Sequence, residues 1–277
     1  MHTVPAPPGT HGVLTMANKH GDFIWYELMT PDPDAATRFY ETVLPWSVAR
    51  SSQPELDYCE IEASEGHVGG MLRLTDEMAA EGARPAWIGY IAVDDVDGCA
   101  AAIRADGGRI YVPPRDIPGV GRFAMLTDPQ GVLFYIMKGA VEALSHAFAA
   151  ERPMLGHCAW NELSTTDPDA AKRFYGARFG WTKDGEMNMG PLGTYEFMRH
   201  DHLIGAVMPL MPQQPAPAWA FYFRVADIDR AAQAVTAGGG QILHGPQEIP
   251  GGEYSVNALD PQGAHFGLVG PRREQAQ

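Results

Sequence analysis

A stretch of 48 residues, Trp87 to Phe134, recurs from Trp219 to Phe266 at a constant offset of 132, without a gap and with 20 identities. No other feature of the chain restricts its fold so strongly, because self-similarity of this length means a duplicated unit, and both copies must satisfy one topology. Trp87, Tyr90, Val93, Asp95 and Asp97 match Trp219, Tyr222, Val225, Asp227 and Asp229. The Gly107-Gly108 pair matches Gly239-Gly240, and Asp128-Pro129-Gln130-Gly131 matches Asp260-Pro261-Gln262-Gly263. A second shared segment lies earlier: Trp25, Glu27, Leu28, Thr30, Asp32 through Ala36, Arg38, Phe39 and Tyr40 match Trp160 to Tyr175 at an offset of 135. The change of offset falls between Trp46 and Trp87, in loops and hairpins where insertions are tolerated.

With 277 residues, 45% of them hydrophobic and 19% charged, the chain can bury two cores. The repeat predicts domains over 21–140 and 156–271, a partly helical linker over 141–155, a mobile tail over 1–20 and a short tail over 272–277. A net charge of −14 and the lack of any basic run argue against a nucleic-acid partner. Cys59, Cys99 and Cys158 are odd in number and widely spaced, the pattern of a reduced cytoplasmic protein. No apolar run is long enough for a membrane span, and the first twenty residues lack the basic start and apolar middle of a secretory signal.

Residues 23 to 30 are aromatic and branched and stop at a Pro-Asp-Pro-Asp turn, so they predict a strand. Asp32 then caps a helix that carries Pro33 at its first position and Phe39, Tyr40 and Val43 at helical spacing. Residues 55 to 74 predict two or three strands, with a hairpin at Ser64-Glu65-Gly66 and a Gly69-Gly70 pair that admits a close approach by another backbone or a ligand. From Trp87 the order restarts: a strand to Val93, a helix capped by Asp95 and stopped at Gly107-Gly108, then strands at 110–112, 121–127 and 132–138. A Pro-rich loop over 113–120 and the Asp-Pro-Gln-Gly turn separate these last strands. Each unit thus reads as strand, helix and three strands, twice over.

The motifs W-x-E-L-x-T-x-D-x-x-A-x-x-F-Y, W-x-x-Y-x-x-V-x-D-V/I-D, G-G and D-P-x-G, in order and in duplicate, resemble the vicinal oxygen chelate superfamily. Within it the chain resembles tandem glyoxalase/bleomycin-resistance/dioxygenase-like proteins. The resemblance implies an α+β fold of two tandem domains, each of two βαβββ modules forming an eight-stranded incomplete barrel, or cup, around a ligand. It also implies a metal site, with ligands early in the first strand, in the first strand of the second module and in the last strand. Those positions here are Trp25 and Trp160, Ile88 and Ala220, and Tyr135 and Gly267, none of which suits Mg²⁺, Zn²⁺ or Fe²⁺. No metal ligands and no cofactor are therefore expected.

Strand side chains alternate faces, so Glu27 and Glu162 should share the cup side with Trp25 and Trp160. A carboxylate in an apolar cup titrates high unless it is paired, which makes both glutamates candidates for acid–base work. Arg224 has the parity to face Glu162 and is expected to pair with it; Ala92 stands at that position in the first unit. Trp25, Tyr58, Tyr90 and Tyr135, with Trp160, Tyr195, Tyr222 and Arg224 in the second unit, are the expected ligand-binding residues. His200 and His202 read as a hairpin tip, and His265 as an inward residue at the mouth of the second cup, in core or rim.

The expected function is binding of a small aromatic or carbonyl-bearing molecule in a cup, without the superfamily's usual metal. One alternative is a metal-independent lyase, isomerase or oxygenase using Glu27 or Glu162, with Tyr90 or Tyr222 polarising an oxygen. Another is an interaction module whose cups are filled by their own aromatics. The expected partners are a small-molecule ligand and, as a monomer or a homodimer, the chain itself.

Overall fold

The fold is built from two strand-helix-strand-strand-strand modules per unit, and in each unit the first strands of the two modules pair antiparallel at the centre of a single sheet. The computed structural model describes residues 17–51, 57–149, 152–212 and 214–273. The first module contains β1 (Phe23–Thr30), α1 (Pro33–Val43), β2 (Ser47–Arg50), β3 (Tyr58–Ala63) and β4 (Gly66–Arg73), followed by the short α2 (Asp76–Ala80). The second contains β5 (Ala86–Ala92), α3 (Val96–Ala105), β6 (Ile110–Ile117), β7 (Gly121–Thr127) and β8 (Leu133–Gly139). The second unit repeats this as β9 (Cys158–Thr165), α4 (Pro168–Phe179), β10 (Thr182–Asn188), β11 (Thr194–His200) and β12 (His202–Pro209). It ends with β13 (Ala218–Arg224), α5 (Ile228–Ala237), β14 (Gln241–Glu248), β15 (Tyr254–Leu259) and β16 (His265–Gly270).

The strand orders are β2-β3-β4-β1-β5-β8-β7-β6 and β10-β11-β12-β9-β13-β16-β15-β14, the same topology twice. Both are open eight-stranded sheets, the α+β arrangement of two tandem domains that the resemblance implies. Asp32 and Asp167 start α1 and α4 by accepting the N–H of Ala35 at 3.0 Å and of Ala170 at 2.9 Å.

The two sheets share one core on the faces that point away from the cups. Tyr26 and Leu28 alternate with Trp25 and Glu27 along β1, and Tyr26 meets Phe221 edge-on at 5.0 Å and donates to Asn161 Oδ1 at 2.7 Å. The helices dock reciprocally. Tyr40 on α1 donates to Asp260 of the other unit at 3.1 Å, and Tyr175 on α4 donates to Asp128 at 3.2 Å. Each aspartate sits in its Asp-Pro-Gln-Gly turn and also accepts two backbone N–H groups, from Gln130 and Val132 in one unit and from Gln262 and Ala264 in the other. Trp46 donates to Gly156 O at 2.7 Å, and Trp181 donates to Gly21 O at 2.9 Å. The repeated Phe-Tyr and Asp-Pro-Gln-Gly signatures are thus one contact between units, made twice.

Some local expectations are corrected. The Pro-rich stretch is mostly strand: β6 runs to Ile117 through Pro113 and Pro114, which an edge strand tolerates because its outer N–H groups need no partner. The described part of 141–155 contains no helix; Ser145 instead donates to Ile24 O, and Phe148 bridges to Cys158. Strand β2 and helix α2 were not anticipated, being short and largely exposed. The expected tail falls for residues 1–16 outside the described residues, whereas His20 hydrogen-bonds Arg178 O at 2.7 Å.

Candidate functional site in two unequal cups

Strand β1 carries Trp25 and Glu27 into the first cup. Glu27 is 3% exposed and accepts from Tyr90 at 3.0 Å and from Tyr135 at 2.8 Å. The two tyrosine rings stack at 4.1 Å, and Trp25 Nε1 donates to the Tyr58 hydroxyl at 2.9 Å. Burial pushes the Glu27 carboxyl up to about 6, against the opposing hydrogen bonds from Tyr135, Tyr90 and Tyr58. All four expected lining residues of this unit therefore gather around one carboxylate. The Gly69-Gly70 pair makes the arrangement possible: a Cβ on Gly70 would lie 2.1 Å from the Tyr58 hydroxyl, and one on Gly69 would lie 2.2 Å from Tyr26 O. Ile24, Met29, Ile88, Phe123, Met125 and Met137 fill the rest of this cup and are buried.

The second cup keeps the carboxylate and loses the filling. Glu162 accepts from Tyr195 at 2.6 Å and from Tyr222 at 2.9 Å, and Trp160 Nε1 donates to the Tyr195 hydroxyl at 2.7 Å. Burial raises its pKa, while the two tyrosines oppose the shift. Tyr222 also lies 3.0 Å from Asn257 Oδ1. The third tyrosine is missing because Gly267 occupies the position of Tyr135, and a Cβ there would lie 2.3 Å from the Tyr222 ring. Ala220 replaces Ile88, Ser255 replaces Phe123, Asn257 replaces Met125 and His265 replaces Leu133. Only Ala220, Tyr222 and Val269 form a buried apolar cluster here, and Glu162, Trp160, Ser255, Asn257 and His265 are only half-buried.

His265 faces this cup, since its neighbours Phe266 and Leu268 enter the shared core while Val269 belongs to the cup cluster. Its imidazole has no hydrogen-bond partner or ion pair among the described residues, and burial lowers its pKa to about 4. His200 does lie at the β11–β12 hairpin, but its ring is held by Asp22 at 3.0 Å.

Two expectations about geometry change. Arg224 does not pair with Glu162; it forks onto Glu253 at 2.5 and 3.0 Å. Along β13 it lies four residues beyond Ala220, the cross-strand partner of Glu162, a rise of about 13 Å that neither side chain spans. The β1–β5 register also sets Tyr90, not Ile88, level with Trp25, and Tyr135 next to Tyr90; in the second unit the row is Trp160, Tyr222 and Gly267. The residues at the superfamily's ligand positions still offer no donor set fit for a divalent metal. Among the described residues no group of three His, Cys, Asp or Glu side chains is arranged to hold one.

Asn257, Ser255 and Glu253 were not among the expected site residues. The signal for the first two lay in the repeat itself: they are inward positions where the units differ.

Comparison with known proteins agrees with this architecture. The family model described as Glyoxalase/Bleomycin resistance protein/Dioxygenase superfamily matches residues 23–136 and 154–268. CFP32 of Mycobacterium bovis, named as a glyoxylase, is 34% identical over 264 residues, covering 91% of this chain and 95% of that protein. The anthracycline biosynthesis protein DnrV of Streptomyces peucetius is 28% identical over 260 residues, covering 88% and 91%. Among solved structures, the Mn(II)-bound glyoxalase of Novosphingobium aromaticivorans aligns with a TM-score of 0.62 at 19% identity, over 94% of this chain and 84% of that one, a likeness of fold. With its duplicated βαβββ modules, its two open cups and a family match spanning both units, the chain belongs to the Glyoxalase/Bleomycin resistance protein/Dioxygenase superfamily.

Proposed function

We propose that the protein binds a small aromatic or carbonyl-bearing molecule in its second cup, without the divalent metal usual in the superfamily. The observation that carries this reading is the inequality of the cups. Five inward positions that hold Ile88, Phe123, Met125, Leu133 and Tyr135 in the first unit hold Ala220, Ser255, Asn257, His265 and Gly267 in the second. Each change reduces bulk or adds a polar group, which supports a lined recess beside Trp160 in place of the packed core of the first unit. The filled-cup alternative then describes the first unit, where Glu27 and its tyrosines serve as a buried polar network. Relatives named for glyoxylase and for anthracycline biosynthesis are both named for small-molecule chemistry, which supports the same class of function.

The test is a calorimetric titration of the chelator-treated full chain with 2-hydroxyacetophenone, an aromatic ketone probe, with and without added Mn²⁺. Binding should occur without metal and weaken at least about tenfold in Ala220→Ile, about 1.4 kcal/mol. Binding that requires the metal, or that is indifferent to Ala220→Ile, contradicts the reading.

A further inference from the structure

In the first cup each oxygen of one buried carboxylate holds a phenol. Tyr135 donates to Glu27 Oε1 at 2.8 Å and Tyr90 to Oε2 at 3.0 Å, and the two rings lie 4.1 Å apart and 14° from parallel. Both tyrosines are buried among Ile88, Phe123, Met125 and Met137. Tyr58 also hydrogen-bonds Glu27, and Trp25 Nε1 donates to the Tyr58 hydroxyl at 2.9 Å. Trp25 and Tyr58 are half-buried, so this hydrogen-bonded series runs from the surface to the stacked pair.

We propose that the first cup is a redox site, in which the Tyr90–Tyr135 pair gives one electron to an oxidising radical and Glu27 keeps the phenolic proton. The proposal is independent of any ligand in the second cup. The oxidant, a one-electron acceptor such as a peroxyl radical, leaves as its anion. The phenol that loses the electron passes its O–H proton along one hydrogen bond to Glu27, which leaves a neutral phenoxyl radical beside a carboxylic acid. A thiolate or an ascorbate anion then returns the electron, itself becoming a radical, and Glu27 returns the proton. An electron taken from a buried phenol leaves a costly cation unless a base is within reach, and here the base is one hydrogen bond away. The step also takes the cluster from one negative charge to none, a change that apolar surroundings favour. The stack lets two rings share the unpaired electron. No other tyrosine contact described above combines these conditions. Tyr40 and Tyr175 reach Asp260 and Asp128 at 3.1 and 3.2 Å, but two backbone N–H groups already hold the charge of each aspartate. Tyr26 donates to an amide oxygen, which is no base. Tyr222 donates to Glu162, yet Gly267 lies against its ring where Tyr90 has Tyr135.

The experiment oxidises the full chain by laser flash with tris(bipyridine)ruthenium(II) and persulfate at pH 8, where Glu27 with its pKa of about 6 is ionised. All variants carry Tyr111→Phe, which silences the exposed Tyr111, and the tyrosyl radical is read by EPR and transient absorption. The radical of this parent should outlive that of the added Tyr90→Phe/Tyr135→Phe pair at least about tenfold, and it should form more slowly in D₂O. Glu27→Gln, which keeps a hydrogen-bond acceptor but takes no proton, should match that pair and lose the isotope effect. Glu162→Gln should change neither lifetime nor isotope effect. A parent radical no longer-lived than that of the Tyr90→Phe/Tyr135→Phe variant, or one unchanged by Glu27→Gln, overturns the proposal. So does a parent radical that forms equally fast in H₂O and D₂O, a result that needs no variant to fold.

Discussion

Glu27 and Glu162 show how one residue acquires two environments from its neighbours. Both are buried enough to titrate high, and both are held by tyrosines in place of an arginine. For Glu27 the rise from 4.5 to about 6 has a thermodynamic consequence. The folded state binds the proton more tightly than the unfolded chain, so this contribution to stability is fully present below about pH 4.5 and is lost as pH rises through about 6. The loss amounts to about 2 kcal/mol. Glu27→Gln, which cannot ionise, should therefore gain about 2 kcal/mol relative to wild type between pH 4 and pH 7 in urea unfolding. An equal difference at both pH values contradicts a high-titrating Glu27. Parity along β1 made the inward aim of Glu27 legible in the sequence. Its tyrosine cage was legible only as a list of aromatics, because which hydroxyls reach the carboxylate depends on strand register.

At the scale of elements, β5 and β8 of the first unit carry Ile88, Leu133 and Tyr135 into their cup, where β13 and β16 of the second carry Ala220, His265 and Gly267. Ile88 is 2% exposed and packed among aromatics, so Ile88→Ala should cost about 2–4 kcal/mol in chemical denaturation through the cavity it leaves. With the proposed recess in the second cup, Ala220→Ile should cost less than about 1.5 kcal/mol. Comparable costs at the two positions contradict the inequality of the cups. The strands flanking the repeated turns could be read from period-two alternation and from the repeat. Strand β2 and the outer part of β6 could not, because four exposed residues and a proline-bearing edge carry no buried-face pattern. The supposed Arg224–Glu162 pair failed for a related reason: parity fixes the face of a residue but not its height along the strand, and Glu253 lies at the height of Arg224.

The whole molecule is tied together by contacts that the sequence marked without explaining. Tyr40 reaches Asp260 and Tyr175 reaches Asp128, so each unit's helix completes the other unit's turn. The repeated motifs told of a duplication, but nothing in one dimension indicated that their contacts cross between the copies. Tyr40→Phe and Tyr175→Phe should each lower stability by about 1–3 kcal/mol, because each leaves a buried aspartate oxygen without its donor. The full chain should still unfold in one cooperative transition by circular dichroism; separate transitions for the two units contradict a shared core. The central claim is that the second cup takes a small carbonyl ligand where the first is filled. It is tested most directly by a crystal structure of the metal-free protein soaked with 2-hydroxyacetophenone. The account predicts density for the probe beside Trp160, above Ala220 and between Glu162 and His265, with the first cup unchanged; a probe lodged among Tyr58, Tyr90 and Tyr135 instead, or an empty second cup, contradicts it.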